Sequence, residues 1–157
     1  MKSSGHSLIL HLEEHRASMK RILLVDDDFH LRRSLEIGLR GLGYSVTLAG
    51  DAIEAMHFVE HNVFDVVVTD VLMPGPTGFE LAEHVHAVKP NLPVIFMTAN
   101  DLESYSQDRH PTVQAWRRRP EQTTPGRMGD GSLAAPLLMK PFVLSELVNL
   151  FELSADR

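Results

Sequence analysis

The chain has 157 residues, of which 43% are apolar and 23% charged, and its formal net charge is −6 at pH 7. This length and composition are typical of one globular domain with a single core, and the negative charge argues against a protein that binds nucleic acid over its whole surface. The sequence contains no cysteine, which excludes a disulfide scaffold and thiol chemistry.

Residues 1–18 are predicted to be an N-terminal extension, and residues 19–157 the folded domain. The extension lacks the uninterrupted apolar core and the small-residue cleavage site of a signal peptide. No apolar run in the chain approaches the roughly 20 residues that a membrane span needs. We therefore expect a cytoplasmic protein.

Short apolar runs alternate with segments of helical spacing from residue 21 onward. Ile22–Val25 and Val66–Val68 are continuously apolar, which is typical of strands buried on both faces of a parallel sheet. Leu31, Leu35 and Leu39 recur four residues apart, as on the inner face of a helix. The predicted strands are residues 21–25, 44–48, 63–69, 93–98 and 137–139, and the predicted helices are residues 29–40, 52–61, 79–88 and 142–153.

This alternation predicts an α/β fold, with a doubly wound, five-stranded parallel sheet and helices on both of its faces. In such folds, ligands bind beyond the carboxyl ends of the strands. Asp26 and Asp27 follow the first predicted strand, and Asp70 follows the third. Thr98 ends the fourth strand and Lys140 follows the fifth. The sequence therefore predicts that three carboxylates, a hydroxyl and an amine meet at one edge of the sheet.

These groups suit the transfer of a phosphoryl group to a carboxylate. Crowded carboxylates repel one another unless a cation lies among them, and carboxylate oxygens are ligands that Mg²⁺ prefers. An accessible carboxylate near Mg²⁺ can attack phosphorus and form an aspartyl phosphate. Lys140 offers positive charge and Thr98 a hydroxyl donor for the phosphoryl oxygens. An acid at a strand end is more often a helix cap, but capping explains neither Lys140 nor Thr98, and Asp28 is the predicted cap.

Four motifs in this order resemble the receiver domains of two-component response regulators. They are Val25-Asp26-Asp27, Thr69–Pro74 with Gly78, Val94–Ala99, and Lys140-Pro141-Phe142. The resemblance covers roughly residues 20–152. It implies a flavodoxin-like sheet with the strand order 2-1-3-4-5, and a cis peptide bond between Lys140 and Pro141.

The resemblance also implies a magnesium site. Asp27 corresponds to a direct ligand of Mg²⁺, and Asp26 to a ligand that acts through water. Asp70 and the backbone carbonyl of Leu72 complete the implied site, so Mg²⁺ is the expected cofactor.

The implied function is that of a signalling phosphoprotein in a two-component phosphorelay. A sensor histidine kinase or a histidine phosphotransfer protein donates a phosphoryl group to Asp70, with Thr98 as the switch hydroxyl and Lys140 as the salt-bridge partner. The protein then docks on a downstream protein that the sequence does not identify. It is not an enzyme toward other substrates, since it catalyses only its own phosphorylation and dephosphorylation. Because the sequence ends soon after the last predicted helix, we expect no DNA-binding domain, and we expect no membrane partner.

Two features depart from the family pattern. Thr98 and Lys140 are unusually far apart, and the stretch from about residue 109 to 135 is an insertion rich in Arg, Pro and Gly, including Arg117–Arg119. This composition predicts a surface loop. Leu137 also stands where the family usually has an aromatic switch residue.

These departures leave two alternatives. The first is a degenerate receiver that acts as a constitutive protein-interaction module. The second is a phosphatase or phosphotransferase that uses Asp70 as its nucleophile. That mechanism needs a second catalytic acid two residues further on, where Leu72 stands, so the receiver interpretation is preferred.

Overall fold

The computed structural model describes residues 20–99, 126–127, 133–134 and 137–155. The strands in these residues are β1 (Arg21–Val25), β2 (Ser45–Ala49), β3 (Val66–Asp70), β4 (Val94–Thr98), β5 (Gly126–Arg127), β6 (Leu133–Ala134) and β7 (Leu137–Met139). The helices are α1 (Phe29–Gly41), α2 (Ala52–His61), α3 (Gly78–Val88) and α4 (Leu144–Ala155). Among the helices of this part of the chain, none has the length and apolar character required to cross a membrane.

Five of the strands form one parallel sheet in the order β2-β1-β3-β4-β7. Counted along this sheet, the order is the predicted 2-1-3-4-5, so the prediction of a doubly wound, flavodoxin-like α/β fold is confirmed. In the register, Val25 lies opposite Thr69, and Thr98 lies opposite Met139. The carboxyl ends of β1, β3, β4 and β7 therefore share one edge of the sheet.

Each face of the sheet carries its own hydrophobic cluster. Val67 and Phe96 belong to the cluster under α2 and α3, whereas Val68 and Met97 belong to the cluster under α1 and α4. Successive residues of the same strand thus point into two different apolar clusters. This is why the strands appear in the sequence as continuous apolar runs rather than as alternating patterns.

Side-chain caps determine where three of the helices begin. The Asp28 carboxylate accepts hydrogen bonds from the first turn of α1, as predicted. Asp51 caps α2 by accepting from Glu54 N. Thr77 and Glu80 form a reciprocal capping box at the start of α3. Because each cap follows a strand by a few residues, the caps also fix the loops at the carboxyl edge of the sheet.

The ends of several elements shift by one to three residues from their predicted positions, and two differences matter most. Asp70 is the last residue of β3 rather than the residue after it. Within the stretch 109–135, β5 and β6 pair antiparallel, a contact that the sequence prediction did not include. The rest of that stretch, and the predicted extension 1–18, lie outside the described residues.

Candidate metal centre

Three carboxylates lie together at the carboxyl edge of the sheet. One oxygen from each of Asp26, Asp27 and Asp70 lies within 4.8 Å of the others. The turn after β1 supplies the first two, and the end of the adjacent strand β3 supplies the third. The three acids that the strand order predicted at this edge are therefore in fact neighbours, and they offer oxygen atoms of the kind that hard cations prefer.

Asp26 and Asp27 have very different surroundings although they are adjacent in sequence. Asp26 is completely buried, and both of its carboxylate oxygens accept hydrogen bonds. Oδ1 accepts from Asp28 N at 2.9 Å, and Oδ2 accepts from Lys140 Nζ at 2.8 Å. Asp27 is exposed. Of these two carboxylates, that of Asp27 is therefore the accessible one.

Lys140 reaches the acidic cluster from the other side of β4. Its backbone N–H donates to Thr98 O at 2.8 Å, and its Nζ lies 2.8 Å from Asp26 Oδ2 and 3.3 Å from Asp70 Oδ2. The Lys140–Pro141 peptide bond is cis, as predicted. Burial disfavours the charged amine, but the hydrogen bond and charge of Asp26, together with those of Asp70, raise the pKa of Lys140. The amine is therefore a cation at neutral pH.

Asp70 lies at the centre of the site. Burial raises the pKa of Asp70 above its ordinary value, and the charge of Asp26 adds to this effect, while Lys140 opposes it. The positive charge of Lys140 therefore does not fully offset the cost of ionising Asp70. A divalent cation among the three acids would offset their repulsion and favour the ionised carboxylate.

The backbone of Asp70 is held by close packing. Thr69 Oγ1 donates to Asp70 O at 2.9 Å, and Gly78 N donates to Val71 O at 2.8 Å. A Cβ at position 78 would lie 2.1 Å from Asp70 O, so a glycine is required there. The loop held by this contact contains Leu72, whose carbonyl is the fourth predicted ligand. The sequence motif includes Gly78, but only the structure explains its role.

Thr98 is buried at the end of β4. Met97 pairs with Asp70 across the two strands, so Thr98 lies one residue beyond the level of Asp70 on the neighbouring strand. Leu137 is half-buried on β7 and pairs with Phe96. All five predicted side chains of the site are thus brought to one edge. Spacing did not predict the part played by Arg32, which donates to the backbone of Asp26.

Sequence comparisons give a consistent result. Residues 22–110, more than half of the chain, match the family model described as response regulator receiver domain. Response regulator MprA from Mycobacterium sp. (strain KMS) is 43% identical over 84 residues, which are 54% of this chain and 36% of the relative. MprA from Mycobacterium leprae (strain TN) is 42% identical over 84 residues, which are 54% and 37% of the two chains. The chain thus spans little more than a third of the length of these curated relatives.

Solved structures are similar over most of the chain. A response regulator receiver domain protein (CheY-like) from Methanospirillum hungatei JF-1 has a TM-score of 0.68 and 25% identity, over 88% of this chain and 94% of its own. Response regulator protein TrrA from Thermotoga maritima, in complex with Mg²⁺–BeF, has a TM-score of 0.65 and 28% identity, over 87% and 99%. Lys140 lies beyond residues 22–110, so its place in the site rests on geometry rather than on the family model.

Proposed function

The chain belongs to the family of response regulator receiver domains, and we propose that it accepts a phosphoryl group on Asp70 in a reaction that depends on Mg²⁺. Receivers of two-component systems have a histidine kinase as partner, so the proposed donor is a sensor histidine kinase or a histidine phosphotransfer protein. One observation carries the proposal, namely the convergence of an accessible acid, a buried acid and an amine around Asp70.

The metal in this proposal is held by the exposed side of the acidic cluster. Asp27 and Asp70 are the direct ligands, together with the carbonyl of Leu72. Both oxygens of Asp26 are already bonded to protein donors, so Asp26 acts through its charge and through water. When bound, Mg²⁺ supplies positive charge that keeps the acceptor ionised and neutralises phosphoryl oxygens.

The transfer itself requires little covalent work from the protein. A carboxylate oxygen of Asp70 attacks phosphorus, a new O–P bond forms, and the bond between phosphorus and the donor's leaving atom breaks. Lys140 Nζ already contacts Asp70 Oδ2 at 3.3 Å, so it is placed to move its contact to the added phosphoryl oxygens. Thr98 supplies a hydroxyl from the end of β4. In this proposal the domain catalyses only its own phosphorylation and dephosphorylation, and the phosphorylated form signals by docking on a downstream protein.

Phosphorylation by a small-molecule donor tests this function. Acetyl phosphate with Mg²⁺ should add one phosphoryl group to the wild type and none to Asp70→Asn, as read by intact mass. Asp65→Asn is the matched control, because it removes the same charge from the opposite end of β3 and should leave labelling intact. Equal labelling of wild type and Asp70→Asn would overturn the assignment of the acceptor. A wild type that binds Mg²⁺ but gains no phosphoryl group would instead favour the degenerate receiver.

A further inference from the structure

A side chain on α1 contacts the backbone of the acidic turn, which is the segment Asp26–Asp28. Arg32 Nη1 donates a hydrogen bond to Asp26 O. This carbonyl belongs to the peptide group that joins Asp26 to Asp27, so its direction sets the course of the chain as it enters Asp27. We propose that Arg32 is a positioning residue, which holds Asp27 in the orientation that Mg²⁺ binding requires.

Two other hydrogen bonds of the acidic turn do not perform this task. Asp26 N donates to Ala49 O at 3.2 Å, which ties the beginning of the turn to β2. Asp28 N donates to Asp26 Oδ1 at 2.9 Å, which closes the turn through a side chain. Neither bond involves the carbonyl between the two acids. The contact from Arg32 therefore restrains a peptide group that these two bonds leave free to rotate.

The guanidinium group of Arg32 is itself held between two residues. Its Cζ lies 5.7 Å from the centre of the Phe29 ring. A Cβ at Gly50 would lie 3.2 Å from Arg32 Nη1, so the absence of a side chain at position 50 leaves room for the group. Arg32 Nε is buried and has no hydrogen-bond partner among the described residues.

The adjacent arginine provides a contrast. Arg33 forms an ion pair with Glu36 on its own helix, and its side chain is half exposed. The two arginines have the same charge and lie on the same helical turn, yet only Arg32 contacts the acidic turn. Arg33→Gln is therefore a matched control for Arg32→Gln.

This inference rests on the proposed magnesium-dependent function, and its test measures Mg²⁺ affinity by calorimetry rather than activity alone. Loss of a group that orients a metal ligand typically weakens metal binding, so Arg32→Gln should raise the dissociation constant for Mg²⁺ about ten-fold. Arg33→Gln should leave it unchanged. At saturating Mg²⁺, labelling of Arg32→Gln by acetyl phosphate should return to near the wild-type rate, because Asp70 and Lys140 are untouched.

Two further variants separate positioning from general loss of structure. Arg32→Lys should recover part of the affinity, since one carbonyl needs one donor. Gly50→Ala keeps the arginine but displaces it by a few tenths of an ångström, so it should raise the dissociation constant by a smaller factor than Arg32→Gln. In the metal-free protein, the amide resonance of Asp27 should shift in Arg32→Gln and stay in place in Arg33→Gln.

The outcomes are distinct. Wild-type Mg²⁺ affinity in Arg32→Gln, or an equal loss in Arg33→Gln, overturns the positioning role. The positioning role is also overturned if Gly50→Ala binds Mg²⁺ as the wild type does and Arg32→Lys recovers no affinity. In that case Mg²⁺ affinity would not depend on the position of the donor at residue 32. Failure of the proposed function has another signature, since a wild type that binds Mg²⁺ without accepting a phosphoryl group leaves these affinity differences measurable.

Discussion

One aspartate precedes β3 and another ends it, and the surroundings of their carboxylates differ. Asp65 precedes the strand and accepts hydrogen bonds from Arg21, from the backbone N at 2.7 Å, Nε at 3.2 Å and Nη2 at 3.3 Å. Partial burial acts to raise the pKa of Asp65, but these hydrogen bonds and the charge of Arg21 lower it below the ordinary value. Asp70 ends the same strand, and its pKa is raised by burial and by the charge of Asp26.

The difference lies in the local balance of charge. At the amino end of β3, the charges of two cations, Arg21 and Lys20, lower the pKa of one carboxylate. At the carboxyl end, three carboxylates lie together, and two of them, Asp26 and Asp70, share the amine of Lys140. A carboxylate that protein donors satisfy contributes to stability, whereas one that lacks positive charge is prepared to bind a cation and to react. The comparison teaches that residue type alone does not assign a role to either aspartate.

The largest effect should come from disturbing the carboxyl end of β3 without changing any charge. In Gly78→Ala the new Cβ would lie 2.1 Å from Asp70 O, so the backbone of Asp70 has to move. A displacement of about 1 Å can cost about 100-fold in rate, and we expect a loss of this order in labelling by acetyl phosphate. Intact mass measured over time gives the rate.

Gly41→Ala is the control for this substitution. A Cβ at Gly41, at the end of α1, meets nothing within 4 Å, so labelling and unfolding temperature should stay near the wild type. Thr69→Val is a milder disturbance of the same carbonyl, because it removes the 2.9 Å hydrogen bond to Asp70 O; its rate should fall between those of the wild type and Gly78→Ala. Wild-type rates in both site variants would show that the backbone of Asp70 tolerates displacement.

A second, smaller effect concerns Mg²⁺ binding in variants of three other aspartates, Asp26, Asp27 and Asp65. Asp27→Ala should weaken Mg²⁺ binding more than Asp26→Ala, because the carboxylate of Asp27 is exposed while that of Asp26 is bonded to protein donors. For Asp26→Ala, loss of an outer-shell group predicts about a ten-fold change. Asp65→Ala should have no effect. Calorimetric titration measures all three, and undiminished affinity in Asp27→Ala would reject a direct ligand at that position.

Much of the site was predictable because parallel topology converts sequence order into spatial order. Strand ends separated by tens of residues meet at one edge, so Asp26, Asp70 and Lys140 were expected together and are within contact. Helix caps were predictable for a related reason. The bond between Asp28 and the first turn of α1 is local, and its geometry follows from residue type and position alone.

The remaining features depend on distances between elements, which spacing does not encode. The close approach of Gly78 to Asp70 and the contact of Arg32 with Asp26 are of this kind. The burial of Glu36 was also not predicted, although its ion pairs with Arg33 and Arg40 are local to one helix. The pairing of β5 with β6 also had no apolar pattern to predict it.

The smallest predicted effect is a difference of sign between the two ends of β3. In EDTA at neutral pH, Asp70→Asn should raise the unfolding temperature, because it removes a buried charge that its neighbours disfavour. Asp65→Asn should lower it, because it removes a favourable ion pair. Asp65 is partly exposed, so its contribution is under about 1 kcal/mol, which in a chain of this size corresponds to no more than about 2–4 °C.

The pH dependence makes this sign difference specific to the carboxylates. The lowered pKa of Asp65 provides stability above the ordinary value of 3.8 that is lost as the pH falls through the pKa in the folded state. The raised pKa of Asp70 has the opposite sign, so its ionisation costs stability once the pH rises through the range between 3.8 and the pKa in the folded state. As the pH is lowered from 7 toward 4, the gain in Asp70→Asn should therefore shrink, whereas the deficit in Asp65→Asn should persist to about pH 4 and shrink only below 3.8. Thermal unfolding with EDTA at several pH values measures both trends.

Two outcomes would contradict this comparison. If both variants shift stability in the same direction at pH 7, the two ends of β3 hold their carboxylates alike. If the gain in Asp70→Asn persists at pH 4, the gain comes from packing rather than from charge.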